Sequence, residues 1–424
     1  MQVSAQNFFQ EEDFKQRYEE FNSSEDEVKS KYRSSEVFVA KTSLSEKMQR
    51  VFNIAMGFLF TAKLAFPYTT VFFPSLVAKV TLFVTNCITH VAVLTGIQVA
   101  TLIAISKIAL SILVTYAIFH VVRKIVAIAI GHIVYLATLI SYGMKFTGSL
   151  EKERKEQYRG LKNSGYIVKR ITFQKSGVSY DAFVIGQKGD IHNKKWCINA
   201  FGNAMVGEKF LMATAERNSE RGLNTLIVNG PSVGRSGGYP SAYQMGSAVE
   251  AGMQFLEKRV KAKKIVLNGL SLGGGACGKA VLQHDFSYAD KKNISYMVIS
   301  QVSFDRLSNA AGKMVFSPVK FLLKGLGCEL DGVKAAKRLR ERNITHVVIQ
   351  KGSYNEGQSL QDIDFSGDDG VIPGEASLAK GMIDAGIDDI KRVKYLTSPK
   401  IKHNSCLPQD IQYELDENID SFLQ

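Results

Sequence analysis

The amino-acid sequence predicts an α/β fold, a mainly parallel sheet flanked by helices, preceded by an N-terminal hydrophobic helical region. Three observations carry that reading. From about Gly165 onward, short apolar runs of strand character alternate with helical ones, the pattern of a parallel sheet with crossover helices. Within that part, Lys264 to Gly278 reads KIVLNGLSLGGGACG, an apolar strand running into Gly269-Leu270-Ser271-Leu272-Gly273 and then small, helix-compatible residues. Finally, residues 51–144 contain no Asp or Glu, and their only formal charges are Lys63, Lys79, Lys107, Arg123 and Lys124. Soluble domains are about one quarter charged, so this zone reads as membrane-embedded or membrane-adsorbed.

The organisation follows from these shifts. Residues 1–50 are a charged segment with acidic patches at Glu11 to Asp13 and Glu25 to Glu27, which predicts no secretory leader. Residues 51–144 are the hydrophobic helical region. There, Val80 to Ser106 and Ile125 to Met144 are uncharged runs of spanning length, since about 20 apolar residues cross the hydrocarbon core. The flanking runs, Val51 to Phe73 and Ile108 to Val122, are interrupted or short, so two, three or four spans fit. Residues 145–164 form a basic linker. Lys145 to Lys175 holds nine Lys or Arg against three Glu, a juxtamembrane pattern that favours the cytoplasmic leaflet and anionic headgroups. The net charge of +13 is accompanied by no nucleic-acid-binding motif.

Residues 165–424 are the α/β domain. Tyr166 to Phe173 and Val178 to Gly186 open it as a strand pair joined through Ser176-Gly177. Lys195 to Phe201 reads as a buried strand, followed by Gly202-Asn203-Ala204-Met205 and a helical Val206 to Ser219. Asn224 to Asn229 is the next strand, Gly230 to Pro240 a glycine-rich loop, and Ser241 to Arg259 a helix by its periodicity. Ser295 to Val302, Thr345 to Gln350 and Val393 to Thr397 complete the strand series. The stretch 303–343 is long for a connection and includes the apolar Met314 to Leu326, broken by Pro318, which predicts a cap over the site. The five cysteines are irregularly spaced without a C-x-x-C pair, so reduced thiols are expected and no zinc site.

A strand that turns sharply into a helix can present a serine hydroxyl only if its neighbours two residues away are nearly side-chain free, and Gly269 and Gly273 meet that demand. A serine needs a base to take its proton, and the base needs a carboxylate to fix its tautomer. Candidates follow in order. Asp368-Asp369-Gly370-Val371-Ile372-Pro373 comes after the strand at Thr345, and Lys400-Ile401-Lys402-His403-Asn404 comes after the final strand.

The order Ser271, Asp, His403, each following a strand, resembles the α/β-hydrolase superfamily. The resemblance runs from Gly165 to the C-terminus and includes Asn229 to Gly238, NGPSVGRSGG, similar to the loop after the fourth strand in these hydrolases. Asp369 fits the family's D-x-x-V/I-P acid loop. Asp368, Asp364, Asp362 and, after the preceding strand, Asp305 remain alternatives. The resemblance implies an oxyanion hole built from the Leu272 amide and a second amide in the loop after Lys195 to Phe201, at Asn203 or Ala204. The Gly-Asn-Ala sequence of that loop is similar to a group of hydrolase-like proteins from intracellular bacteria, the chlamydial CHLPS type.

Together these features lead to the expectation of a membrane-associated serine hydrolase that cleaves an ester or thioester of a lipid or other acyl substrate, with the catalytic domain on the cytoplasmic side. No metal or cofactor is implied. A catalytically silent hydrolase-fold scaffold, or a secreted effector of an intracellular bacterium, is the alternative setting for the same fold.

Overall fold

A computed structural model describes residues 37–39, 121–353 and 359–424, apart from 127, 134, 315–319, 321–322, 325, 366 and 388–391. The expected spans before residue 121 and the centre of the 303–343 insertion therefore lie mostly outside the described residues. The chain divides into two compact units, residues 42–126 on one side and residues 1–41 with 127–424 on the other.

A nine-stranded sheet organises the second unit, in the order β1-β2-β3-β5-β4-β6-β7-β8-β9. Its strands are β1 (Val37–Val39), β2 (Tyr166–Lys175), β3 (Val178–Gln187), β4 (Lys195–Ala200), β5 (Asn224–Val228), β6 (Lys264–Leu270), β7 (Ser295–Gln301), β8 (Thr345–Lys351) and β9 (Val393–Ser398). Strand β3 runs antiparallel to β2 and β5, and from β5 to β9 every pairing is parallel. All five residues of β5 are buried, as expected for a parallel strand covered on both faces.

The helices, in chain order, are α1 (Leu136–Phe146), α2 (Ser149–Asn163), α3 (Leu211–Glu220), α4 (Ala242–Phe255), α5 (Leu272–Gln283), α6 (Ser287–Lys292), α7 (Leu307–Met314), α8 (Gly332–Glu341), α9 (Leu378–Asp384) and α10 (Gln409–Leu423). Helices α4 and α5 pack side by side over one face of the sheet, and α8 packs against α5. On the other face, the Ile411, Leu415 and Ile419 stripe of α10 is buried against Val266, Met297 and Val347. Of the stretch expected to form a cap, Gly332–Glu341 is the crossover helix between β7 and β8. This is an α/β-hydrolase-like fold with a mostly parallel sheet and flanking helices.

Within Ile125 to Met144 the helical run breaks at Tyr135 and resumes as α1, and the two helices together have the length and composition of a broken span. Among the described residues no single helix is long and apolar enough to cross a membrane. The buried face of α1, with Ala137, Thr138, Ser141 and Met144, is seated on the α/β body, where Ser141 Oγ accepts from the Gly234 N–H at 2.9 Å. That buried face mixes apolar Ala137 and Met144 with Thr138 and Ser141, while the outward face exposes Leu139, Tyr142 and Phe146.

Two buried networks show what hydropathy could not. The Arg170 guanidinium binds both Asp181 oxygens, at 2.6 and 2.7 Å, while Asn229 Nδ2 donates to Asp181 and Glu208 at 3.1 and 2.9 Å. Burial and the neighbouring Asp181 charge push the Glu208 carboxyl above its ordinary range. The Arg235 N–H also donates to Asp181, so the network fastens the glycine-rich loop to β3.

On the other side of the sheet, His346 on β8 lies 3.0 Å by Nε2 from Ser300 Oγ on β7, and burial lowers its pKa from 6.5 to about 4. The unfolded chain thus takes up a proton between those values that the fold refuses. Stability present above 6.5 is lost as pH falls toward 4. We expect the His346→Gln variant to lose less stability over that window than the parent, by roughly 3 kcal/mol, at about 1.4 kcal/mol per pH unit. Urea denaturation of both proteins at neutral and mildly acidic pH measures the difference; parallel curves would refute it.

Candidate active site

Ser271 stands between β6 and α5 at φ 53° and ψ −117°, a backbone conformation strained for any residue with a side chain. Its surroundings hold it there. The Ser271 N–H donates to the Gln301 carbonyl at 2.8 Å, and its own carbonyl accepts from the Gly274 N–H at 2.9 Å and from Ser303 Oγ at 3.0 Å. The elbow fits only because two glycines flank it. A Cβ on Gly269 would meet Gly274 Cα at 2.5 Å, and one on Gly273 would meet the Ala200 carbonyl oxygen at 2.0 Å.

The parallel strands deliver the other groups to the same end of the sheet, since β6, β8 and β9 run in one direction and their C-terminal loops share one rim. His403, after β9, places Nε2 2.9 Å from Ser271 Oγ and Nδ1 3.0 Å from Asp369 Oδ2. Asp369 Oδ1 accepts from the Val371 and Ile372 N–H groups at 3.0 and 2.7 Å, and the Asp369 carbonyl accepts from the His403 N–H at 2.8 Å. A carboxylate whose second oxygen already takes two donors needs a donor at the first. That sets Nδ1 as the protonated nitrogen and leaves Nε2 free to accept from the serine hydroxyl.

The alternative acids are elsewhere. Asp305 accepts from Asn309 Nδ2 at 2.6 Å, Asp368 from the Gly370 N–H at 3.0 Å, and Asp362 from Ser359 Oγ at 2.7 Å. Asp364 pairs through its backbone with Ser353. Among the acids weighed, the structure brings Asp369 to the imidazole.

Of the two amides expected to serve in the loop after β4, that of Ala204 is already engaged. The Ala204 N–H is taken by the Asn203 side-chain oxygen at 3.0 Å, and the same oxygen accepts from the Leu136 N–H at 2.7 Å. Asn203 ties the start of α1 to this loop. Gly202, earlier in the loop, lies beside the nucleophile, since a Cβ there would be 3.2 Å from Ser271 Cβ. Leu272, as the first residue of α5, has no intrahelical acceptor for its N–H. Ser303, which steadies the strained serine, was not read from the sequence, because a lone serine after a strand carries no signal without its partner.

The buried thiols of Cys197 and Cys277 fill core positions, and burial pushes the Cys197 thiol up to about 12. Among the described residues no group of three or more His, Cys, Asp or Glu could hold a metal ion.

Known proteins share this fold. No curated protein matches the sequence. The fold is similar to that of an alpha-beta hydrolase from Vibrio vulnificus, with 14% identity and a TM-score of 0.44 over 62% of this chain and 82% of the other. It is also similar to an esterase from Pyrococcus furiosus, with 14% identity and a TM-score of 0.42 over 62% of this chain and 92% of the other. The family model of the Chlamydia CHLPS protein (DUF818) matches residues 74–424, a range that takes in Ser271, Asp369 and His403, and the chain belongs to that family.

Proposed function

We propose that this protein is a serine hydrolase that cleaves an acyl ester or thioester at a membrane surface. The observation that carries the reading is the continuous hydrogen-bonded line from Ser271 Oγ through His403 to Asp369, at 2.9 and 3.0 Å. In the first half-reaction Ser271 Oγ adds to the carbonyl carbon while its proton passes to His403 Nε2. The charge that develops on the carbonyl oxygen is met by the Leu272 N–H and by an amide of the loop after β4, where a Cβ on Gly202 would lie 3.2 Å from Ser271 Cβ. Collapse breaks the bond to the leaving oxygen or sulfur, which takes the proton from His403. Water then repeats the sequence on the acyl-enzyme, freeing the acid and restoring Ser271.

The membrane setting rests on different features: the acid-free zone of residues 51–144 and the outward apolar face of α1, where Phe146 is 94% exposed. The basic run from Lys145 suits an anionic, cytoplasmic leaflet.

A fluorophosphonate probe tests the chemistry whatever the substrate, because it reacts with any activated serine it can reach. Detergent-solubilised full-length parent is expected to be labelled, and Ser271→Ala and His403→Ala to remain unlabelled. A folded parent that stays unlabelled would make the fold a silent scaffold and sink the proposal.

A further inference from the structure

The order of strands divides the site into two sides. Ser271 follows β6; His403 and Asp369 follow β9 and β8 on one side, and β4 and β5 lie on the other. His403 must protonate the leaving group, so the leaving group lies toward β9 and the acyl group toward β4 and β5. There, beside Leu272 and Phe201, a small pocket opens between α4, α5 and the ends of these strands. It is lined almost wholly by apolar groups, among them Met245 and Val249 from α4 and Ala276 from α5. These side chains are buried, and together they line a small, partly open recess.

Its remaining wall comes from outside the strand and helix series of the hydrolase domain. Tyr135, from the break before α1, is 6% exposed and its ring lies against the end of β5, where a Cβ on Gly230 would meet Tyr135 Oη at 2.7 Å and Cε1 at 3.0 Å. The backbone that carries this ring is fixed on both sides: the Tyr135 N–H donates to the Gly131 carbonyl at 2.8 Å, Thr138 Oγ1 donates to the Tyr135 carbonyl at 2.8 Å, and the next N–H, of Leu136, donates to Asn203 Oδ1. Asn203 thereby couples the loop beside the nucleophile to the residue that closes the pocket.

We propose that this pocket is the acyl site, that Tyr135 is its end wall, and that the substrate class is an ester or thioester of a short acyl group, acetyl to butyryl, on a leaving group of unrestricted size. The inference rests on the hydrolase reading of Ser271 and adds to it a length limit and the residue that sets it. A lipid or protein leaving group is accommodated because only the acyl portion enters the recess.

The test is the ratio of kcat/KM for p-nitrophenyl octanoate to that for p-nitrophenyl acetate, with the probe labelling of the full-length protein measured in parallel. The parent is expected to favour acetate and butyrate over octanoate by about tenfold or more, since each methylene that a pocket refuses costs at least that order. Tyr135→Ala is expected to raise the octanoate-to-acetate ratio by about tenfold. Ala276→Leu, which fills the space from α5, is expected to lower the butyrate-to-acetate ratio by a similar factor. A parent that labels but hydrolyses octanoate as readily as acetate overturns the pocket while leaving the hydrolase reading standing. The pocket falls in the same way if both variants keep the parent's ratios. A folded parent that neither labels nor hydrolyses any ester overturns both.

Discussion

Asp369→Asn is expected to lower kcat by about 10⁴ while leaving the protein folded. The size of the effect follows from the acceptor geometry. Asp369 Oδ1 serves the Val371 and Ile372 N–H groups, and Oδ2 serves His403 Nδ1. An asparagine must keep its carbonyl oxygen on the two backbone donors, because its NH₂ there would oppose them. The NH₂ therefore faces Nδ1, which must become the unprotonated nitrogen. The proton moves to Nε2, and the imidazole can no longer accept from Ser271 Oγ. Loss of one proton position thus disables the base without removing it.

Assays of p-nitrophenyl acetate hydrolysis measure the effect, and circular dichroism controls for folding. Ser271→Ala and His403→Ala should each cost about as much as the two together, because the groups act as a unit. Asp368→Asn and Asp305→Asn, whose carboxylates bind other partners, are expected to stay within a few-fold of the parent. A severe loss in either of those, with activity retained in Asp369→Asn, would move the acid elsewhere.

What was legible in the sequence was whatever depends on local sterics or on chain order. Ser271 was readable because a strained elbow admits only glycine at Gly269 and Gly273, and that demand is written within five residues. His403 and the acid loop were readable because a parallel sheet brings the loops that follow its strands to one rim. The choice of Asp369 over its neighbours needed the D-x-x-V/I-P resemblance, since several carboxylates within eight residues share the same loop.

Which amide of the loop after β4 faces the reacting carbonyl is not legible in sequence, because that register is set by three-dimensional approach. The clamp that the Asn203 side chain makes between the Ala204 and Leu136 N–H groups is invisible there for the same reason. Composition counts apolar side chains and does not distinguish those of α1 that meet protein, such as Met144, from those that face outward, such as Phe146. The Arg170, Asp181, Glu208 and Asn229 network joins residues separated by up to 59 positions, and none of them is informative alone.

Gly273→Ala is the prediction that most directly joins fold to chemistry. A methyl group at this position would lie 2.0 Å from the Ala200 oxygen, 2.5 Å from the Ala200 carbonyl carbon and 2.8 Å from the Phe201 oxygen. All three are backbone atoms, so no rotamer change relieves the contact, and the end of β4 must separate from α5 by about 1.4 Å to reach ordinary contact. That movement spreads the two sides of the oxyanion site, because Leu272 rides on α5 and Phe201 leaves β4. Displacement of catalytic groups on this scale costs about 10² in rate. The overpacking itself costs about 1–3 kcal/mol, enough to lower Tm by several degrees in a domain of this size.

Gly278→Ala provides the control on the same helix. Its Cβ would meet the Ala335 methyl at 2.9 Å, a side-chain contact with α8 on the side away from β4, so stability falls while the donors stay aligned. The expected result is a fall in both kcat and Tm for Gly273→Ala and in Tm alone for Gly278→Ala. Equal activity in the two variants would show that the close approach of α5 to β4 serves packing only, and the oxyanion site would then have to be built from amides other than those of Leu272 and the Phe201-Gly202 turn.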